Sequence, residues 1–208
     1  MTRILIIGDS HIPMRASEIP SKIIQKLIQL TEDSLFDYTF FTGDLIDSSK
    51  FLEFLNLKTK RDVFKVIGNM DNYYTKRDWP IYQNLELESK NGDKISIGMI
   101  HGFNIKPRGD QDQLESYAIE KRDNILVSGH THKEEVILTE KGTLLLNPGS
   151  VTGAWSFIAS QIPAFIVIKI SIENGVILCS LFRLMKRREI EKQKFYFMFK
   201  NGIITRKM

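Results

Sequence analysis

Residues 3–11 read Arg-Ile-Leu-Ile-Ile-Gly-Asp-Ser-His, a short β-branched run that stops at a glycine and then presents an aspartate and a histidine two residues apart. Such a run predicts a buried strand whose tip carries polar side chains. Working outward, the arrangement returns four more times. Asp37 to Thr42 stops at Gly43-Asp44, Val63 to Ile67 at Gly68-Asn69, Ile95 to Ile100 at His101-Gly102, and Ile125 to Val127 at Ser128-Gly129-His130. Between the early strands, Lys22 to Leu30 carries apolar residues at Ile23, Ile24, Leu27, Ile28 and Leu30, a helical spacing, and Phe51 to Leu57 also reads as helix. Strands alternating with helices predict an α/β fold. Ligands in open α/β sheets gather at the carboxyl ends of strands, so all five tips can meet at one site.

From Val136 onward the pattern changes to hairpins. Val136 to Thr139 and Leu144 to Leu146 flank Lys141-Gly142, and Phe165 to Ile172 and Val176 to Leu184 flank Asn174-Gly175, a strong hairpin signal. The aromatic stretch Lys194 to Lys200 predicts a further strand. No repeat of solenoid length is visible. The expectation is one domain over residues 1–208, with a basic strand or tail at about 186–208 and disorder confined to the last few residues.

Composition is that of an ordinary globular protein, with 42% apolar and 26% charged residues. The net charge of +4 hides an asymmetry: Arg183 to Met208 holds nine Lys or Arg against Glu189 and Glu191, which leaves 20 basic and 23 acidic side chains in the rest. Nucleic-acid binding could be read into Lys186-Arg187-Arg188 and the aromatics Phe195, Tyr196, Phe197 and Phe199. A basic edge strand with its phenylalanines turned inward accounts for the same residues more simply. The opening apolar run ends after four residues at Gly8, too soon for a signal peptide, and no run approaches the roughly 18 apolar residues of a spanning helix. Together with the single cysteine, Cys179, this gives a cytoplasmic expectation and excludes an integral membrane protein.

Each strand tip alone is a weak signal, since Gly-Asp and Gly-Asn turns are a common way to leave a strand. His130-Thr131-His132 is more specific, although a histidine pair without a metal is the competing reading. The count decides: all four histidines, His11, His101, His130 and His132, lie at these tips. Adding Asp9, Asp44 and Asn69 gives seven candidate metal ligands of mixed carboxylate, amide and imidazole type. That mixture suits Mn²⁺, Fe²⁺, Co²⁺, Ni²⁺ or Zn²⁺, with Mn²⁺ the first choice, and the lack of thiolates argues against a structural zinc site. Seven is too many for one catalytic ion that must keep a position open. Two divalent ions roughly 3.5–4 Å apart, sharing a carboxylate, resolve the excess, and Asp44 is the natural bridge.

Taken together, Asp9-Ser-His11, Gly43-Asp44, Gly68-Asn69-Met70-Asp71, His101-Gly102 and Gly129-His130-Thr131-His132 resemble the calcineurin-like metallophosphoesterases. Residues 8–15, Pro107 to Asp110, 128–133 and 147–155 look further like the retromer phosphoesterase-like subunit and its archaeal and bacterial phosphodiesterase relatives. The resemblance covers about residues 3–184. It implies a four-layer αββα sandwich with two mixed β-sheets flanked by helices. It also implies that Asp9, His11 and His132 hold one ion, Asn69, His101 and His130 the other, and Asp44 both. The retromer subunit departs from the catalytic pattern at the bridging Asp and the ligand Asn, both kept here, which favours catalysis over a purely structural role.

The function expected is a binuclear phosphoesterase, most simply a phosphodiesterase, in which a hydroxide held between the ions attacks a small phosphoester substrate in line. Asn69 and His101 are candidates to assist as donors to the phosphoryl oxygens. Many family members carry a histidine where this chain has Met70, which cannot protonate a leaving group. Asp71, the third candidate catalytic residue, keeps its place without its usual partner. Arg108 and Lys106 are candidate phosphate contacts, with a solvated loop pair the simpler reading. Asn147 to Ser150 reads as a structural turn beside the site. The rival function is an adaptor that keeps the metal site for a protein partner in a retromer-like assembly. Trp155, Phe157, Ile158 and Ile162 could serve such a partner, but core packing is their expected place.

Overall fold

The computed structural model describes residues 1–75, 77–186 and 189–207. Among the described residues, twelve strands form two sheets. The first orders as β12-β11-β10-β9-β1-β2-β3, where β1 is Thr2–Ile7, β2 Tyr38–Phe41, β3 Val63–Lys65, β9 Ala164–Ser171, β10 Val176–Met185, β11 Glu189–Lys200 and β12 Ile203–Arg206. The second orders as β4-β5-β6-β8-β7, with β4 Tyr82–Glu88, β5 Lys94–Ile100, β6 Ile125–Val127, β7 Glu134–Leu138 and β8 Leu144–Pro148. Both sheets are mixed. β1, β2 and β3 run parallel in one and β5, β6 and β8 in the other, with antiparallel strands outside them.

Three separate apolar layers explain the stacking. Between the sheets, Ile4, Ile6 and Phe40 meet Ile97, Met99, Val127, Leu144 and Leu146. Because side chains alternate along a strand, Leu5 and Ile7 of β1 face the other way. They pack with Phe41, Phe165 and Phe182 against α1 (Ser21–Leu30) and α2 (Ser49–Leu57), through Ile23, Leu27, Phe51 and Leu55. On the far side of the second sheet, Ile100, Leu126 and Leu145 receive Leu114 and Ala118 of α4 (Gln111–Lys121). Three buried interfaces require four layers, the αββα sandwich. The β1 run is continuously apolar because both its faces are covered.

Several details differ from the sequence reading. The last residues are not disordered up to Arg206: β12 pairs with β11 and buries Ile204. The aromatic strand begins at Glu189 rather than Lys194, because β10 offers a partner along its whole length. Its outer edge is paired by β12 only from Phe197 to Lys200, so residues 189–196 form an open edge that carries Lys192 and Lys194 but also Glu189 and Glu191. Phe197 and Phe199 are buried and Tyr196 is exposed; Arg187 and Arg188 lie outside the described residues. Trp155, Phe157 and Ile158 are not core: they are 51, 79 and 45% exposed, while Ile162 is half-buried. Their loop alternates, turning Ala154 and Ser156 inward and the rings outward, because polar anchors rather than apolar packing hold it. Among the described residues no helix is long and apolar enough to cross a membrane.

Candidate metal centre

The two sets of parallel strands point their carboxyl ends at a common place. β1 delivers Asp9 and His11, β2 delivers Asp44, and β3 leads to Asn69, the first residue of α3 (Asn69–Tyr74); β5 delivers His101, and β6 delivers His130 and His132. Five of these seven sit in the left-handed backbone region: Asp9 (φ 51°), His11 (49°), Asp44 (55°), His130 (67°) and His132 (58°). Non-glycine residues rarely adopt it, and each instance costs about 1–3 kcal/mol. Cross-loop hydrogen bonds hold the strain, from Asp9 N–H to Gly43 C=O (2.9 Å) and from His11 N–H to Asp44 C=O (3.0 Å). Such turns swing the side chains away from the sheets and toward each other.

Inside the cleft, one ligand atom from each of Asp9, His11, Asp44 and His132 lies within 4.8 Å of the others. His132 Nε2 is 3.2 Å from Asp9 Oδ1 and 2.9 Å from His11 Nε2. On the other side, His101 Nε2 is 3.2 Å from Asn69 Oδ1, and the His101 and His130 rings are 5.1 Å apart. Asp44 stands between the two groups. Its Oδ1 accepts the Met70 N–H (2.8 Å), which leaves Oδ2 at 3.2 Å from His11 Nε2 and 3.4 Å from His101 Nε2. Gly68 makes this approach possible, because a Cβ there would run into the Asp44 carboxylate.

The donor set fits divalent ions on its own chemistry. His101 and His132 donate from Nδ1 to the carbonyls of Thr42 (2.7 Å) and Ala154 (2.9 Å), which turns each Nε2 lone pair into the cleft. Asp9, His11, Asp44, His101 and His132 are all at most 2% exposed. Burial alone would raise the Asp9 pKa, but the charge of His132 and hydrogen bonds from His11 and His132 hold it well below the usual carboxylate range. Asp44 is likewise held low against burial by His101. Burial disfavours the His101 imidazolium, yet Asp44 and Asp9 push its pKa up to about 9. His130 goes the other way: burial, His101 and Arg108 lower it to about 4, which leaves a neutral imidazole. Two buried carboxylates and four converging imidazoles form a donor set for divalent ions, whose charge would take the place of the imidazolium charges that hold Asp9 and Asp44 low.

Residues 2–171 match the model of the calcineurin-like phosphoesterase superfamily domain. The chain belongs to that superfamily. A probable metallophosphoesterase of Methanothermobacter thermautotrophicus is 36% identical over 147 residues, 71% of this chain and 76% of the relative. Another, from Methanocaldococcus jannaschii, is 34% identical over 170 residues, 81% of this chain and 75% of its own length. Among solved structures, vacuolar protein sorting 29 of Cryptosporidium parvum superposes with a TM-score of 0.80 at 29% identity, over 95% of this chain and 98% of its own. Wild-type Vps29 of Entamoeba histolytica, solved with Zn²⁺, gives 0.77 at 25% identity, over 94% and 99%. These matches place this calcineurin-like phosphoesterase in the branch its motifs resemble.

Other residues around the phosphoesterase cleft had weaker sequence signals. Asp71 does not point into it: its carboxylate accepts N–H from Ile46 (2.8 Å) and Gly68 (3.3 Å), and burial raises its pKa. Asn147 donates to the Gly129 carbonyl (2.9 Å) and to Thr131 Oγ1 (3.0 Å), which fixes the turn carrying His130 and His132. Ser150 Oγ donates to the Asp9 carbonyl (2.7 Å). The Asn-Pro-Gly-Ser turn thus braces two ligand loops at once. Thr42, whose hydroxyl donates to Asp9 Oδ2 (3.3 Å), went unread as a site residue because a threonine at a strand end carries no distinguishing pattern. Arg108 is exposed, but its guanidinium lies over the Phe157 ring (5.7 Å), so it is not a free loop cation.

Proposed function

We propose that this chain is a binuclear metal-dependent phosphoesterase acting on small phosphodiesters. The observation that carries the reading is the single Asp44 oxygen facing imidazoles on both sides of the cleft. Asp9, His11 and His132 would hold one ion, Asn69, His101 and His130 the other, and Asp44 both, with Mn²⁺ the first candidate. When bound, the ions supply an activated water and neutralise charge on the phosphoryl oxygens. The residues supply the rest. Asn69, whose Oδ1 is 3.2 Å from His101 Nε2, keeps its amide N–H groups to steady a phosphoryl oxygen, while His101, with Nδ1 bonded to the Thr42 carbonyl, would act through the ion it holds. Asp71 is a positioning residue, acting through Ile46 and Gly68 on the Asp44 loop. Met70 offers only its backbone N–H and cannot protonate a leaving oxygen, so esters with good leaving groups are favoured.

The reading is tested by hydrolysis of a panel of aryl diesters and alkyl monoesters with Mn²⁺, Ni²⁺ and Zn²⁺. Asp44→Ala should abolish turnover in all of them, and turnover surviving that change overturns the proposal. A second reading, an adaptor for a protein partner, is favoured by the likeness to Vps29. It predicts complex formation that survives Asp44→Ala. The buried free Cys179, its thiol pKa raised by burial, fits a reducing compartment, and we place the protein in the cytoplasm.

A further inference from the structure

Two loops rise from the same point of the cleft wall. The loop carrying Arg108 packs on Thr131 through Gly109, where the backbone is left-handed (φ 71°) and a Cβ would come within 2.8 Å of Thr131 Cγ2. The loop carrying Trp155 and Phe157 is tied to the same residue, since Ser156 Oγ donates to the Thr131 carbonyl. Two residues earlier, the Ala154 carbonyl receives the His132 Nδ1 proton. Thr131 lies between the ligand candidates His130 and His132, so both loops stand at the rim of the metal centre.

At that rim the Trp155 and Phe157 rings are 5.1 Å apart, tilted by 60°, and exposed. Arg15, on the loop following His11, donates to the Trp155 carbonyl (2.8 Å) and braces the segment. The Arg108 guanidinium lies over one face of Phe157, and its loop packs through Gly109 on Thr131, the residue between His130 and His132. An aromatic surface joined by an arginine to a phosphate-binding centre offers two things at once: a stacking platform for a planar ring and a cation for the anion next to it. Exposed rings cost free energy unless something covers them, and bases stack on such rings without sequence preference.

Resting on the phosphoesterase reading, we infer that the substrate is a phosphoester with a nucleoside arm, whose base stacks on Trp155 and Phe157 while its phosphate enters the metal centre past Arg108. The test compares thymidine 5′-(p-nitrophenyl phosphate) with methyl p-nitrophenyl phosphate, two diesters with one leaving group, on the Mn²⁺-loaded enzyme. The wild type should favour the thymidine ester by about tenfold in kcat/KM, carried mainly by KM, as expected for one base–aromatic stack. In Trp155→Ala/Phe157→Ala that ratio should fall toward one. A ratio near one in the wild type, or an unchanged ratio in the double variant, overturns the inference and leaves the rings to a macromolecular partner. If neither ester is hydrolysed, the phosphoesterase reading fails separately, and binding decides this one. In a Trp79→Phe background the remaining Trp155 fluorescence of the Zn²⁺-loaded protein should be quenched saturably by thymidine 5′-monophosphate, and Phe157→Ala should weaken that binding about tenfold; absence of quenching overturns the inference.

Discussion

Asp71 stands one residue beyond Met70 in the motif and was read from sequence as a candidate for catalysis, yet its carboxylate holds backbone. One of the amides it binds belongs to Ile46, a β-branched residue with φ 59°, a conformation such side chains avoid. Asp71→Asn swaps an ionised acceptor of two N–H groups for an amide that offers one oxygen. It should cost about 1–3 kcal/mol of stability and, by loosening the Asp44 loop, roughly 10- to 100-fold in metal affinity. Thermal unfolding and metal titration of the variant check both, and an unchanged affinity would remove Asp71 from the positioning role. Met70→His keeps the backbone bond to Asp44 and adds a proton donor. Turnover of an alkyl monoester should rise on the order of 10²-fold relative to wild type, against little change for p-nitrophenyl esters. Residue types at strand tips could be read from sequence because histidines are few. The direction in which each side chain points could not, since that depends on five left-handed backbone positions.

At the level of elements, the strongly apolar strands and α1 and α2 were readable, and the weaker ones were not. β4 was missed because its Leu-Glu-Leu-Glu run is a half-exposed edge strand with only two apolar side chains packed inward. α4 was missed because it buries little beyond Leu114 and Ala118, although Asp110 caps it by accepting the Gln113 N–H (2.9 Å). β12 follows an Asn-Gly turn but has only Ile204 buried. The outer helical layer packs on Leu5 and Ile7 of the strand that delivers Asp9 and His11, so its coupling to the metal centre can be tested. Phe165 stacks on Phe182 at 4.8 Å, both fully buried between the larger sheet and its helices. Phe165→Ala should destabilise the fold by about 3–5 kcal/mol, seen as a lower midpoint in denaturant, while the folded variant keeps the metal content of wild type. Loss of metal at full folding would show that the helical layer and the site are coupled.

On the scale of the whole molecule, the ligands come from both sheets, so ions would bridge the two halves of the sandwich. Binding only to the folded state adds about 2.7 kcal/mol per site at a hundredfold excess over Kd. At roughly 2–4 °C per kcal/mol for a chain of this size, removing metal with a chelator should lower Tm by at least about 5 °C, and readdition should restore it. Calorimetry with and without EDTA checks this. The most direct test of the central claim is a titration of metal-free protein with Mn²⁺, reading bis(p-nitrophenyl) phosphate hydrolysis against ions bound per chain. Activity should appear as the second ion binds and level off at two per chain. Full activity at one ion, or none at two, would contradict a binuclear phosphoesterase bridged by Asp44.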